Sequence, residues 1–114
     1  MEVNGTMVRG CLMLGVQADG ATVTTIEGYA DHPVGNRLQS AFVEHNALQC
    51  GYCTPGMLAS AIEYIENGGT ADRALIRKHI SGNYCRCTGY QSIVDAIEST
   101  INQSSNTTNS GTAL

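Results

Sequence analysis

Five cysteines are the residues of this sequence with the clearest chemistry. Four of them form two close pairs, Cys50 and Cys53 in a C-x2-C motif and Cys85 and Cys87 in a C-x-C motif, with residues 54–84 between the pairs. Each motif fixes two sulfur atoms locally, so a fold that brings the motifs together presents four thiolates. Four thiolates bind either a zinc ion or an iron–sulfur cluster. The spacing predicts a metal site without choosing between these two.

Two other interpretations of the cysteines stay open at this point. Buried free thiols act as small hydrophobic residues, and a C-x-x-C motif serves as a redox disulfide in some proteins. A disulfide framework is disfavoured because the number of cysteines is odd and no secretory signal follows Met1. We therefore expect a cytoplasmic protein.

The pattern of the chain changes near residue 35. Residues 1–34 are predicted to be extended, with a turn at Asn4-Gly5 and a short strand over residues 21–26. From about Asn36 the apolar spacing becomes helical, and a first helix is expected to end near Leu48. Residues 104–114 are rich in Ser, Thr and Asn and are predicted to be disordered. We therefore divide the chain into residues 1–34, 35–103 and 104–114.

Three further helices are predicted, each starting at a threonine cap: Thr54, Thr70 and Thr88. The apolar positions that should face the core are Leu38, Phe42, Val43, Leu58, Ala61, Ile62, Ile65, Leu75, Ile76, Ile80, Ile93, Val94, Ile97 and Ile101. Each cysteine pair comes just before a helix, so helix, cysteine pair, threonine and helix occur twice. This repeat predicts two helical hairpins related by approximate two-fold symmetry, with the metal between them. Helix N-termini beside the loops would supply N–H donors to the sulfur atoms.

Composition excludes two classes of partner. The net charge is −4 with neutral histidines, whereas nucleic-acid-binding domains usually carry a basic patch. The longest apolar run, residues 11–14, is far shorter than the roughly 20 residues of a membrane span. We expect neither nucleic-acid binding nor a membrane span.

Two segments carry a family resemblance: QCGYCTPGM at residues 49–57 and SGNYCRCTGY at residues 81–90. Both resemble the small iron–sulfur subunit of molybdenum hydroxylases, the xanthine oxidase superfamily. Residues 15–18 and 25–28 look most like the aerobic carbon monoxide dehydrogenase branch, and the resemblance covers about residues 3–101.

The resemblance implies a fold and a site. The fold is mainly α, a four-helix bundle that binds one [2Fe–2S] cluster, preceded by a short β remnant of a plant-type ferredoxin (β-grasp) domain. The cluster ligands that carry over are Cys50, Cys53, Cys85 and Cys87. Gln49 resembles a glutamine that hydrogen-bonds the pterin of the molybdenum cofactor, and the sulfur of Cys87 is expected to approach the pterin amino group.

The resemblance also implies a function. In the family, substrate is oxidised at a molybdenum–pterin cofactor in a large subunit, and electrons pass through iron–sulfur clusters to FAD in a medium subunit. This chain would be the electron-transfer subunit of such an oxidoreductase, with no catalytic residue of its own. The alternative is a structural four-cysteine zinc module that mediates protein contacts.

Several further residues are predicted to have lesser roles. Cys11 resembles the fourth ligand of the family's second [2Fe–2S] cluster, whose other ligands would lie upstream, so that cluster would form only if the missing N-terminal segment is supplied. We therefore expect the chain to start inside a longer gene.

Arg86 either offsets cluster charge or lies at an interface. Tyr52, Tyr84 and Tyr90 are expected to pack near the cluster and exclude water. The histidines show no ligand spacing.

Overall fold

Four helices form most of the chain. The computed structural model describes residues 1–113, with side chains described for residues 1–103. The helices are α1 (Pro33–Glu44), α2 (Thr54–Glu66), α3 (Arg73–Ile80) and α4 (Gln91–Ala113). Three short strands precede them: β1 (Glu2–Val3), β2 (Thr6–Met7) and β3 (Val23–Thr24). The predicted mainly helical class is confirmed. The tail predicted for residues 104–114 lies outside the fully described part of the chain.

The three strands form one antiparallel sheet with β1 in the centre. Val3 pairs with Thr6 of β2 on one side and with Val23 of β3 on the other. Asn4 and Gly5 both have positive φ, 50° and 84°, the conformation that a two-residue hairpin turn requires. The predicted Asn-Gly turn is confirmed. The third strand is shorter than predicted, because residues 26–29 leave the sheet in a 3-10 turn that buries Tyr29.

The helices pack as a ring in which α1 and α3 each contact both α2 and α4. Apolar side chains from all four helices fill the centre, so burial of their surface holds the ring together. The fully buried large apolar side chains in the helices are Leu38, Phe42, Met57, Ile62, Ile76, Ile93, Val94 and Ile97.

Some of the predicted helix faces and caps were wrong. Val43 and Leu75 are exposed, because each lies one position along the helix from a buried residue and so points about 100° away from the core. Helix α3 is capped by Asp72, whose carboxylate accepts hydrogen bonds from the N–H groups of residues 74 and 75, and not by Thr70. Helix α4 begins at Gln91, three residues after Thr88.

The N-terminal segment is packed onto the bundle. Tyr29 is buried in the same core as the helices, and its hydroxyl donates to Met7 Sδ at 3.5 Å. Arg9 Nη2 donates to the carbonyl oxygen of Gly82 at 2.9 Å, just after α3. The N-terminal segment therefore contacts and supports the loop that follows α3. The boundary between residues 34 and 35 stays a prediction.

Within the part of the chain that the structure describes, no helix has the length and hydropathy needed to cross a membrane.

Candidate metal centre

The two cysteine pairs lie in two loops at the same end of the bundle. Cys50 and Cys53 are in the loop that joins α1 to α2, and Cys85 and Cys87 are in the loop that joins α3 to α4. The Sγ atoms of Cys50 and Cys87 are 3.6 Å apart. The ring of helices thus brings together residues that lie far apart in sequence, as the repeated pattern predicts.

The C-x2-C loop turns back on itself within four residues. Gly51 has φ 81°, in the left-handed region that a glycine adopts without steric cost. This conformation directs the backbone N–H of Tyr52 toward Cys50 Sγ, with N and Sγ 3.4 Å apart. The C-x2-C loop thus supplies one backbone donor to a cysteine sulfur.

The C-x-C loop surrounds Cys85 with hydrogen bonds. Thr88 donates to Cys85 Sγ through its hydroxyl at 2.9 Å and through its backbone N–H at 3.4 Å. The backbone N–H of Cys85 donates to the Tyr90 hydroxyl at 3.0 Å, and the N–H of Tyr90 donates to Thr88 Oγ1 at 3.1 Å. Thr88 was predicted to cap α4; its hydroxyl serves the sulfur of Cys85 instead.

The backbone after this loop is strained. Gly89 and Tyr90 have φ 68° and 72°, and a left-handed conformation at a bulky residue costs about 1–3 kcal/mol. The two bonds that Tyr90 makes to Cys85 and Thr88 hold it there. Strain that the surrounding contacts maintain is typical of a functional loop.

The four sulfur atoms are arranged as two pairs. Cys50 and Cys87 form one pair on the exposed side, while Cys53 and Cys85 lie beside one another on the more buried side. Among the residues that the structure describes, no group of three or more His, Cys, Asp or Glu side chains is placed to hold a single metal ion. All five cysteines are free. Two pairs of thiols match the ligation of a binuclear centre, in which each iron takes two cysteine ligands.

The buried pair has unequal affinities for protons. Burial raises the pKa of the Cys53 thiol to about 11, and the neighbouring Cys85 adds to this rise. Burial also acts to raise the pKa of Cys85, but hydrogen bonds from Thr88 and from the Cys87 N–H outweigh it and lower this pKa to about 7. Of the two buried sulfurs, Cys85 is thus the one whose surroundings favour the thiolate.

Further hydrogen bonds tie the cysteine loops to each other and to the helices. Gln49 Nε2 donates to the carbonyl oxygen of Cys87 at 3.1 Å, which links the two loops directly. Asn83 Nδ2 donates to Ser60 Oγ of α2 at 2.8 Å. Asn83 fits there because Gly56 has no side chain: a Cβ on Gly56 would lie 2.7 Å from Asn83 Oδ1. The sequence identified Asn83 only as part of the SGNYCRCTGY segment at residues 81–90.

The tyrosines near the site differ from one another. Tyr90 is half-buried against the core, whereas the side chains of Tyr52 and Tyr84 are 93% and 90% exposed. The expectation that all three pack around the cluster was therefore wrong for Tyr52 and Tyr84. They flank the exposed side of the cysteine loops instead.

The remaining candidate residues, Cys11, the histidines and Arg86, take no part in the two sulfur pairs. Cys11 is exposed in a 3-10 turn (Gly10–Leu12). His32 pairs with Glu66 at 2.6 Å, and His79 pairs with Glu63 at 3.2 Å. Arg86 is exposed between Cys85 and Cys87.

Residues 25–98 match the model of a protein family described as a [2Fe-2S] binding domain. The chain belongs to this family. The matched region contains both cysteine loops, and so all four paired cysteines.

Relatives of this chain are subunits of oxidoreductases. It is 45% identical over 95 residues to the nicotine 6-hydroxylase small subunit of Paenarthrobacter nicotinovorans, an overlap of 83% of this chain and 57% of that protein. It is 36% identical over 97 residues to the xanthine dehydrogenase iron-sulfur-binding subunit of Escherichia coli O157:H7, covering 83% of this chain and 61% of that protein. The chain thus spans about three fifths of the length of these relatives.

A solved structure shares the fold. The crystal structure of quinoline 2-oxidoreductase from Pseudomonas putida 86 contains a chain that superposes with a TM-score of 0.80 at 40% sequence identity. The match covers 91% of this chain and 65% of that chain.

The residues present fit the cluster for which the family is described. Four cysteines in two pairs match the four-thiolate ligation of a [2Fe–2S] cluster. The hydroxyl oxygen of Thr54, the residue after Cys53, is buried without a hydrogen-bond partner in the described chain. A buried unpaired hydroxyl is costly, and a sulfide or thiolate of a cluster is an acceptor that would satisfy it.

Proposed function

We propose that this chain is the electron-transfer iron–sulfur subunit of a molybdenum hydroxylase. It passes electrons from the molybdenum–pterin cofactor of a large subunit toward FAD in a medium subunit. The observation that carries the proposal is the pairing of Cys50 with Cys87 and of Cys53 with Cys85 between two loops of a [2Fe–2S] binding domain.

Each pair would hold one iron of the cluster. Bound there, a [2Fe–2S] cluster takes up and releases one electron at a time. The chain's own contribution is to fix the sulfur positions and their surroundings. Thr88 and the Tyr52 N–H donate to the sulfur atoms, and the buried core beneath Cys85 keeps water from that side. Hydrogen bonds to the sulfur atoms and burial are two of the factors that set a cluster's potential.

The exposed pair would face the partner that delivers electrons. Cys50, Cys87 and Gln49 are all exposed, and the Gln49 amide lies against the Cys87 carbonyl. This juxtaposition supports the assignment of Gln49 and Cys87 as the residues that contact the pterin in the large subunit. The exposed Tyr52 and Tyr84 lie beside them and would be covered in the same interface, since aromatic residues are enriched at interfaces.

The proposal extends to partners and location. The chain would act in a complex with a molybdenum-binding large subunit and an FAD-binding medium subunit, in the cytoplasm. Five free cysteines support a reducing compartment. Similarity to the carbon monoxide dehydrogenase branch remains a prediction, and the choice of substrate belongs to the large subunit. A second cluster would require further cysteines to join Cys11.

Metal and sulfide analysis tests the proposal. The full chain is expressed anaerobically, and iron, acid-labile sulfide, zinc and the visible spectrum are measured for the wild type and for Cys50→Ser, Cys85→Ser and Cys11→Ser. We expect equal amounts of iron and sulfide, two of each per chain, and a red-brown colour. Cys50→Ser and Cys85→Ser should lose the colour.

The control is Cys11→Ser, because Cys11 is exposed and lies outside both loops. It should keep the iron, the sulfide and the spectrum of the wild type. A colourless wild-type protein that contains zinc without sulfide would contradict the proposal and support the structural zinc module.

A further inference from the structure

The Thr88 hydroxyl is oriented toward the sulfur of Cys85. Its oxygen accepts a hydrogen bond from the Tyr90 N–H at 3.1 Å, and it lies 2.9 Å from Cys85 Sγ. A hydroxyl has a single hydrogen to donate. Because the Tyr90 N–H already approaches the oxygen from another side, that hydrogen is free to point at the sulfur.

The loop holds this geometry from both ends. The Cys85 N–H donates to the Tyr90 hydroxyl, and the Thr88 N–H donates to Cys85 Sγ. These bonds link residues 85, 88 and 90 in a closed ring. The left-handed φ angles of Gly89 and Tyr90 turn the backbone so that the Tyr90 N–H faces the Thr88 hydroxyl. The hydroxyl is therefore fixed in place before any metal binds.

The equivalent threonine after the other cysteine pair is arranged differently. The N–H of Thr54 donates to the Gly51 carbonyl oxygen at 3.3 Å, where the N–H of Thr88 donates to a sulfur. Its hydroxyl makes no hydrogen bond in the described chain. The two threonines therefore differ. Within the described chain, the Thr88 hydroxyl donates to a sulfur of the buried pair, whereas the Thr54 hydroxyl does not.

We propose that Thr88 is a positioning residue that raises the reduction potential of the bound cluster by donating its hydroxyl hydrogen to Cys85 Sγ. The inference rests on the proposed function, that a [2Fe–2S] cluster occupies this site. Reduction adds one electron, which converts one of two ferric ions to ferrous and increases the negative charge on the ligand sulfurs. A donor to a ligand sulfur therefore stabilises the reduced state more than the oxidised state.

The test compares midpoint potentials of the cluster-loaded full chain. Thr88→Val removes the hydroxyl with little change in shape, Thr88→Ser keeps it, and Thr100→Val is the matched control. Thr100 is also a buried threonine, but its hydroxyl donates to the Ala96 carbonyl oxygen within α4. Each protein is reduced stepwise with dithionite in the presence of mediator dyes, and the EPR signal of the reduced cluster is followed.

We expect Thr88→Val to lower the equilibrium constant for reduction by up to about tenfold, which is about 59 mV for a one-electron couple. Thr88→Ser and Thr100→Val should stay near the wild-type potential. An unchanged potential in Thr88→Val would overturn the inference, as would an equal fall in Thr88→Ser. Wild-type chain without iron and sulfide would instead refute the proposed function, and this inference with it.

Cluster content gives a second measurement if Thr88→Val binds no cluster. Loss of the cluster in Thr88→Val and Thr88→Ala, with full content in Thr88→Ser, would show that the hydroxyl is needed and would support the positioning role. Loss in Thr88→Ser as well would show that the side chain acts through its volume, which contradicts the inference.

Discussion

The hydroxyl of Tyr90 should stabilise the loop that carries Cys85, and Tyr90→Phe tests this. The hydroxyl accepts the N–H of Cys85, a residue that is only 9% exposed. Without the hydroxyl this N–H loses its partner, and an unpaired buried donor costs about 1–3 kcal/mol. Because Tyr90 itself is half-buried, water can replace part of the bond. We therefore expect a loss near the lower end, about 1 kcal/mol.

Unfolding of the metal-free chain measures this loss. A change of 1 kcal/mol shifts the midpoint temperature of a domain of this size by roughly 4 °C. Urea unfolding, followed by far-UV circular dichroism under reducing conditions, should show a lower midpoint at an unchanged slope.

The matched control is Tyr84→Phe in the same loop. Tyr84 is 90% exposed, so its hydroxyl is solvated in both the folded and the unfolded chain. This variant should unfold like the wild type. Equal stabilities for Tyr90→Phe and Tyr84→Phe would refute the role assigned to the Tyr90 hydroxyl.

Two further predictions concern packing. Gly56→Ala should destabilise the chain by about 1–3 kcal/mol, because the new Cβ would lie 2.7 Å from Asn83 Oδ1 and push Asn83 away from Ser60; in urea unfolding, the gain usual for Gly→Ala in a helix would contradict this. Ile97→Ala should cost about 2–5 kcal/mol, because Ile97 is fully buried in α4. Val43→Ala, on the exposed face of α1, should change the unfolding free energy by less than about 0.5 kcal/mol, and equal losses in the two variants would refute the assigned core.

The helices and the gathering of the cysteines could be predicted from sequence. The apolar spacing of residues 93, 94 and 97 identified the buried face of α4, and all three side chains are fully buried. The repeat of cysteine pair and helix also predicted that two loops meet. These features follow from local periodicity and from a pattern that occurs twice in the chain.

The sequence was less informative where neighbouring residues compete for one role. Val43 adjoins the buried Phe42, and only packing decides which of two adjacent apolar residues faces the core. Thr88 has the chemistry of a helix cap, but a sulfur acceptor three residues earlier takes its hydroxyl. The acceptor role of the Tyr90 hydroxyl depends on positive φ angles at residues 89 and 90, which spacing does not reveal.

EPR spectroscopy of the dithionite-reduced chain shows whether the two cysteine pairs hold a binuclear iron–sulfur cluster. The sample is the full chain loaded anaerobically, with its iron content measured in parallel. We expect no signal from the oxidised protein and, after one-electron reduction, a signal that integrates to one spin for every two irons. A signal of isolated ferric iron before reduction, or a reduced protein with zinc and no signal, would contradict this expectation.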